Sequence, residues 1–153
     1  MMYRQTMFTV AVVAVLVAPL VAHSDDLTDL KAAFEQASKA ANARDLDANA
    51  AYWHEQVVSF GPRSPFPIDG KPALRQFFQT VFANHESFTF TPINPQYRVM
   101  GNMGVAWGNY MLALKPKDGP LATSFGRYTV TFVKSDGQWL QVVRHFSLLL
   151  PEN

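Results

Sequence analysis

The hydrophobic period of this chain changes once, near Ser87, and that change dictates an order of helices followed by strands. Before it, Leu27, Leu30, Phe34, Ala37 and Ala41 recur at three- and four-residue spacing. They predict an amphipathic helix with Asp25 or Asp26 as N-cap and Arg44 in the last turn. Asp45 or Asp47 caps a second, shorter helix running through Ala48, Ala51 and Tyr52 to about His54. A third opens at Asp69-Gly70-Lys71-Pro72, with proline in the first turn, and presents Leu74, Phe77, Phe78, Val81 and Phe82 on one wide face. Pro62, Pro65 and Pro67 make the intervening segment a loop. Beyond Ser87 the segments 87–91, 97–100, 105–114, 123–134 and 138–148 are rich in β-branched and aromatic residues. Gly101-Asn102-Met103-Gly104, Lys117-Asp118-Gly119-Pro120 and Ser135-Asp136-Gly137 supply turns between most of them. The expected fold class is α+β: a cone-shaped domain of three N-terminal helices packed in a strongly curved antiparallel sheet. Long strands twist and curl, and a curled sheet around helices leaves a concavity suited to a ligand.

Residues 1–24 have a different character. Arg4 precedes an apolar run from Met7 to Ala22, broken by Pro19 and closed by Ala22-His23-Ser24. The run is shorter than the roughly 20 residues of a spanning helix, and its order is that of a signal peptide cut after Ser24 or after Ala22. The folded domain is then expected over residues 25–153, periplasmic or secreted, with no stable membrane anchor after cleavage. Cysteine is absent, which removes disulfides, thiolate nucleophiles and cysteine metal sites together. Thirteen basic against twelve acidic side chains give a net charge of +1, with no basic run, so nucleic acid is not an expected partner. Hydrophobic residues make up 48%, enough for one packed core.

The tail Gly126-Arg127-Tyr128-Thr129-Val130, then Asp136-Gly137-Gln138-Trp139-Leu140, then Val143-Arg144-His145-Phe146-Ser147 resembles the nuclear transport factor 2-like superfamily. It is most similar to the SnoaL-like members and the calcium/calmodulin-dependent protein kinase II association domain, as is Ile93-Asn94-Pro95 before a strand. The resemblance implies the cone-shaped fold and leaves function open, because such folds host isomerases, dehydratases, epoxide hydrolases, oligomerisation hubs and binding proteins. Two departures stand out. Gly61, in Val58-Ser59-Phe60-Gly61-Pro62, occupies the place of the general-base aspartate of ketosteroid isomerase relatives. Met111, Val130 and Phe146 replace the pocket arginines of the association domain, which implies an apolar pocket.

No metal or cofactor is expected, since His54, His85 and His145 fall on different elements with no carboxylate cluster beside them. A nucleophile elbow is missing too. Every acid is assigned to a helix, a turn or a terminus, and only Glu55 and Asp69 are expected near the mouth of the cone. Strict alternation along the last strand puts Leu140, Val142, Arg144, Phe146 and Leu148 on one face and Trp139, Gln141, Val143, His145 and Ser147 on the other. The resemblance favours the first as the inner face, directing Arg144 into the cavity or to its rim. The predicted ligand-binding set is Tyr52, Phe60, Trp107, Asn109, Tyr128, Arg144 and His145. Asn109 reads either as a polar anchor or as an interface residue, and His145 either as a sheet histidine or as a titrating group near neutrality. The expected function is that of an exported small-molecule-binding domain with an apolar cavity for a small apolar or monoanionic molecule. One alternative is a metal-independent isomerase, dehydratase or hydrolase using His145 and a tyrosine; another is a homo-oligomerisation module. A homodimer through the outer sheet face is expected, because strands such as 123–134 carry apolar residues on both faces.

Overall fold

The structure is a computed structural model and describes residues 24–149; residues 1–23, on which the signal-peptide expectation rests, lie outside the described residues. Three helices, α1 (Ser24–Asn42), α2 (Leu46–Ala50) and α3 (Lys71–Asn84), pack against one six-stranded sheet. Its strands are β1 (Trp53–Phe60), β2 (Ile68–Asp69), β3 (His85–Met100), β4 (Met103–Pro116), β5 (Ala122–Ser135) and β6 (Gln138–Leu148), ordered β2-β1-β6-β5-β4-β3. The α+β class and the curved sheet agree with the sequence. Strict antiparallel pairing does not hold, because β1 runs parallel to β6.

Strand β1 corrects the sequence reading, which carried the second helix to His54 and placed no strand before the proline loop. Helix α2 stops at Ala50 after a single turn, capped by the Asp45 side chain accepting from the Ala48 amide at 3.0 Å. The chain then extends, because Trp53 and Val57 are drawn into the core against α3 and Val58 to Phe60 pair with Val143 to His145. That pairing joins segments some 85 residues apart, beyond the reach of any local pattern. Consequently Glu55, Asp69 and Glu86 lie in strands, not in helices or turns.

The ends of α1 differ in detail from expectation. The helix includes Asp25 and Asp26 in its first turn, and Lys134 of β5 meets Asp26 at 2.5 Å. Arg44 falls beyond the last turn with φ 58°. Its guanidinium donates to the Glu86 carbonyl at 2.9 Å and to the Phe82 carbonyl, so it clamps α1 to the α3–β3 junction. The Asn42 side chain donates to the Phe90 carbonyl and accepts from the Phe90 amide, at 3.0 and 2.8 Å. Expected segments 87–91 and 97–100 form one strand, β3, whose register shifts between Ile93 and Gln96 around Asn94, at φ 49°. Asp136 and Gly137, both with positive φ, make the two-residue turn from β5 to β6 that their sequence demands.

Two buried clusters result. One sets Leu30 and Phe34 of α1 against Ala106, Tyr110, Tyr128, Val130, Phe132 and Trp139 of the sheet. The other joins Ala50, Trp53, Val57, Leu74, Phe78 and Phe82. In β5 Gly126 faces Tyr110, and any side chain there would collide with the tyrosine ring and the Ser147 carbonyl.

Candidate functional site

Side chains of α1 and α3 do not fill the hollow of the sheet, and a cavity of about 390 Å³ remains between them. Phe34, Ala37 and Ala41 come from α1, and Phe77, Phe78 and Val81 from α3. The sheet contributes Phe88 and Phe90 (β3), Tyr110 and Leu112 (β4), Val130 (β5), and Gln141, Arg144, Phe146 and Leu148 (β6). The exposed members of the lining are Pro62, Arg63, Ser64 and Phe77, so the mouth lies between the proline loop and α3. Phe90, Tyr110 and Phe146 form a ring triangle with centroids 5.6 to 5.9 Å apart.

Arg144 is the polar centre of this space. Its guanidinium carbon sits over the rings of Trp53, Phe78 and Phe146 at 5.6, 5.2 and 5.4 Å from their centroids. Nε and Nη1 are sealed from solvent and have no hydrogen-bond partner among the described residues. Burial, with no carboxylate to offset it, lowers the guanidinium from its usual value to about 10, so it remains a cation at neutral pH. Two further polar atoms on the lining, Gln141 Oε1 and Asn49 Oδ1, are buried without partners among the described residues. The Asn49 amide is oriented by its Nδ2 donating to the Ala37 carbonyl at 2.7 Å, which leaves Oδ1 free. Among the described lining residues Arg63 and Arg144 are the cations and no carboxylate appears. Burial also raises the Tyr110 hydroxyl, while Arg63 acts the other way; that hydroxyl donates to the Ser147 carbonyl at 3.4 Å.

Of the seven residues predicted to bind ligand, Arg144 lines the cavity and the other six do not. Phe60, Trp107, Asn109 and His145 stand on the outer face of the sheet, where Trp107, Thr129, His145 and Phe60 lie in register across four strands. Phe60 is 42% exposed and packs edge-on to His145 at 6.0 Å. Arg98 covers Trp107 at 5.8 Å, and Asn109, exposed, stands opposite Arg127. Tyr52 belongs to a separate shallow groove beside Gln138 to Leu140. Tyr128 is core, stacked on Phe34 at 5.2 Å, and its hydroxyl is sealed without a partner among the described residues and driven strongly upward in pKa by burial. Glu55 pairs with Lys71 at 2.9 Å, and neither Glu55 nor Asp69 reaches the cavity. Val130 and Phe146 line it as expected from the resemblance, whereas Met111 points away, its neighbours Tyr110 and Leu112 facing in.

The face assignment along β6 was half right for a physical reason. Phe132 pairs with Gln141 and Thr131 with Val143, so Val142 is a bulge without a partner. One extra residue reverses which side each later residue faces. Trp139 and Gln141 therefore point inward before the bulge, and Arg144, Phe146 and Leu148 after it. Leu140 and Val142 are not in the cavity, and Gln141 is a lining residue that alternation had assigned to the other face. The helical lining was legible: Phe34 and Phe78 lie on the apolar faces of α1 and α3.

A family model described as a SnoaL-like domain matches residues 30–151. Solved structures share the fold at low identity. A nuclear transport factor 2 (NTF2-like) superfamily protein from Salmonella enterica serovar Typhimurium has a TM-score of 0.76 at 16% identity, covering 85% of this chain and 95% of that one. A ketosteroid isomerase-like protein from Erwinia carotovora has a TM-score of 0.72 at 19% identity, with 84% and 100% covered. A provisionally assigned calcium/calmodulin-dependent protein kinase II association domain from Xanthomonas campestris gives 0.71 at 18%, with 88% and 93% covered. No curated protein sequence matches. The chain belongs to the SnoaL-like domain family.

Proposed function

We propose that this SnoaL-like domain is an exported container for a small, largely apolar molecule. The observation that carries the reading is the cavity of about 390 Å³, walled by aromatic and aliphatic side chains around one buried cation. A volume of this order, apolar with a few convergent polar groups, is the usual form of a small-molecule site. Acid–base chemistry by His145 with a cavity tyrosine lacks geometry, because His145 and the lining residue Tyr110 are on opposite faces of the sheet. The reading is tested by a thermal-shift screen of small acids, sterol-like and aromatic compounds. A ligand of the native state at a hundred times its Kd adds about 2.7 kcal/mol of apparent stability. If no compound shifts the transition and a neutral fluorescent probe is not taken up, the container reading fails. Export rests on the N-terminal sequence pattern, and mass spectrometry of the secreted chain should find Met1 removed.

A second reading, self-association through the outer sheet face, is favoured by Phe60, Phe125 and Val143, which are 42%, 52% and 39% exposed there. Trp107 and Met111 extend the same face. The two readings are compatible, since cavity and patch lie on opposite sides of one sheet.

A further inference from the structure

Taking the container reading as its basis, we infer that the occupant is a hydroxylated monocarboxylate on an apolar body, its carboxylate held by Arg144. Nothing among the described residues completes this arginine. The faces of Trp53, Phe78 and Phe146 offset its charge. Aromatic faces accept hydrogen bonds only weakly, so the N–H groups stay unmet. Nε and Nη1 are sealed and unpartnered; Nη2 is the one guanidinium nitrogen not sealed in this way. Nη2 is therefore where an acceptor entering the cavity meets the guanidinium, and an anionic oxygen there makes a charge-assisted hydrogen bond. A carboxylate matches the single positive charge behind that open donor. A phosphate or a dicarboxylate fits poorly, because a second negative charge would be buried among phenylalanines without a partner.

The sign of the whole enclosure agrees. Arg63 stands at the mouth and Arg144 within, with no carboxylate among the described lining residues, so the field draws anions inward. The remaining open valences are acceptors: Gln141 Oε1, across the Val142 bulge from Arg144 on β6, and Asn49 Oδ1 on α2. Each needs a donor that the carboxylate does not have. A hydroxyl on the same molecule supplies it, and the rest of the ligand meets Phe88, Phe90 and Leu112.

The test measures displacement of the neutral probe N-phenyl-1-naphthylamine by 3-phenylpropanoate, 3-phenylpropanamide and 2-hydroxy-3-phenylpropanoate. In the wild-type protein the acid should bind about ten-fold or more tightly than the amide, the effect of a hydrogen bond to a charged group. The hydroxy acid should bind several-fold more tightly still. Arg144→Met should remove the acid's advantage and leave the amide within about two-fold, and Gln141→Leu should remove only the gain from the hydroxyl. Equal affinity of acid and amide in the wild type overturns the carboxylate assignment while uptake of the neutral probe leaves the container reading standing. A hydroxy acid no tighter than its parent overturns the hydroxyl assignment. Failure of the probe and of all three compounds to bind removes both readings. The wild-type comparison decides the matter even if a variant does not fold.

Discussion

The two faces of the sheet are built from similar residues and behave differently. On the inner face Tyr110, Tyr128, Val130 and Phe132 are at most 2% exposed, and Arg144, set among the rings of Trp53, Phe78 and Phe146, has Nε and Nη1 without a hydrogen-bond partner among the described residues. On the outer face Trp107, Phe125, Val143 and Phe60 are interleaved with Thr129, Arg127, Asn109 and His145, whose polar groups reach solvent. Apolar content therefore does not tell inside from outside here; the helices do, by covering one face only. A polar atom on the covered face that finds no partner among the described residues, such as Arg144 Nε or Gln141 Oε1, carries an unmet valence that invites a ligand, whereas the same atom type on the open face is satisfied by water.

The largest effect separating the faces should come from the inner core. Phe132→Ala is expected to cost about 3–5 kcal/mol, read as a lower urea midpoint at unchanged slope. A loss under about 1 kcal/mol would mean that the inner face is loosely packed and the comparison breaks.

Arg144→Met sharpens the contrast in the opposite direction. Replacing a buried, unpaired charge by an apolar stem of similar length should stabilise the ligand-free protein by roughly 1–3 kcal/mol, while carboxylate binding is lost. A destabilised variant would show that the cation–π contacts outweigh the unmet donors. Removing the sealed hydroxyl by Tyr128→Phe should be neutral or stabilising by up to about 1 kcal/mol, because no hydrogen bond is lost.

The smallest effect on folding belongs outside. Phe125→Ser, at a residue 52% exposed, should change stability by about 0.5 kcal/mol or less in the monomer, and Trp107→Ser, half-buried under Arg98, by about 1 kcal/mol. If the outer face pairs two copies, the same changes should shift sedimentation from dimer to monomer at micromolar concentration. A wild-type monomer under those conditions would leave the patch without a partner of its own kind.

Local pattern made much of this fold legible. The amphipathic stripes of α1 and α3, the Asp136-Gly137 hairpin and the long strands beyond Ser87 follow from periods and turn chemistry that neighbouring residues impose on one another. Arg144 was assigned to the cavity, and so were the apolar Val130 and Phe146 through the resemblance. Other assignments needed contacts across the chain. Val57, Val58 and Phe60 carry a β-branched and aromatic signal, yet β1 exists because β6 offers it a parallel partner. Phe60, Trp107, Asn109 and His145 were read as cavity residues because a strand's alternation gives two equivalent faces and no label for either. The sequence by itself determined the elements, their order and the chemistry available. Tertiary structure decided which face the helices covered and where Val142 bulged. Since side chains alternate with a period of two, one unpaired residue is enough to carry Gln141 into the cavity on the same strand as Arg144.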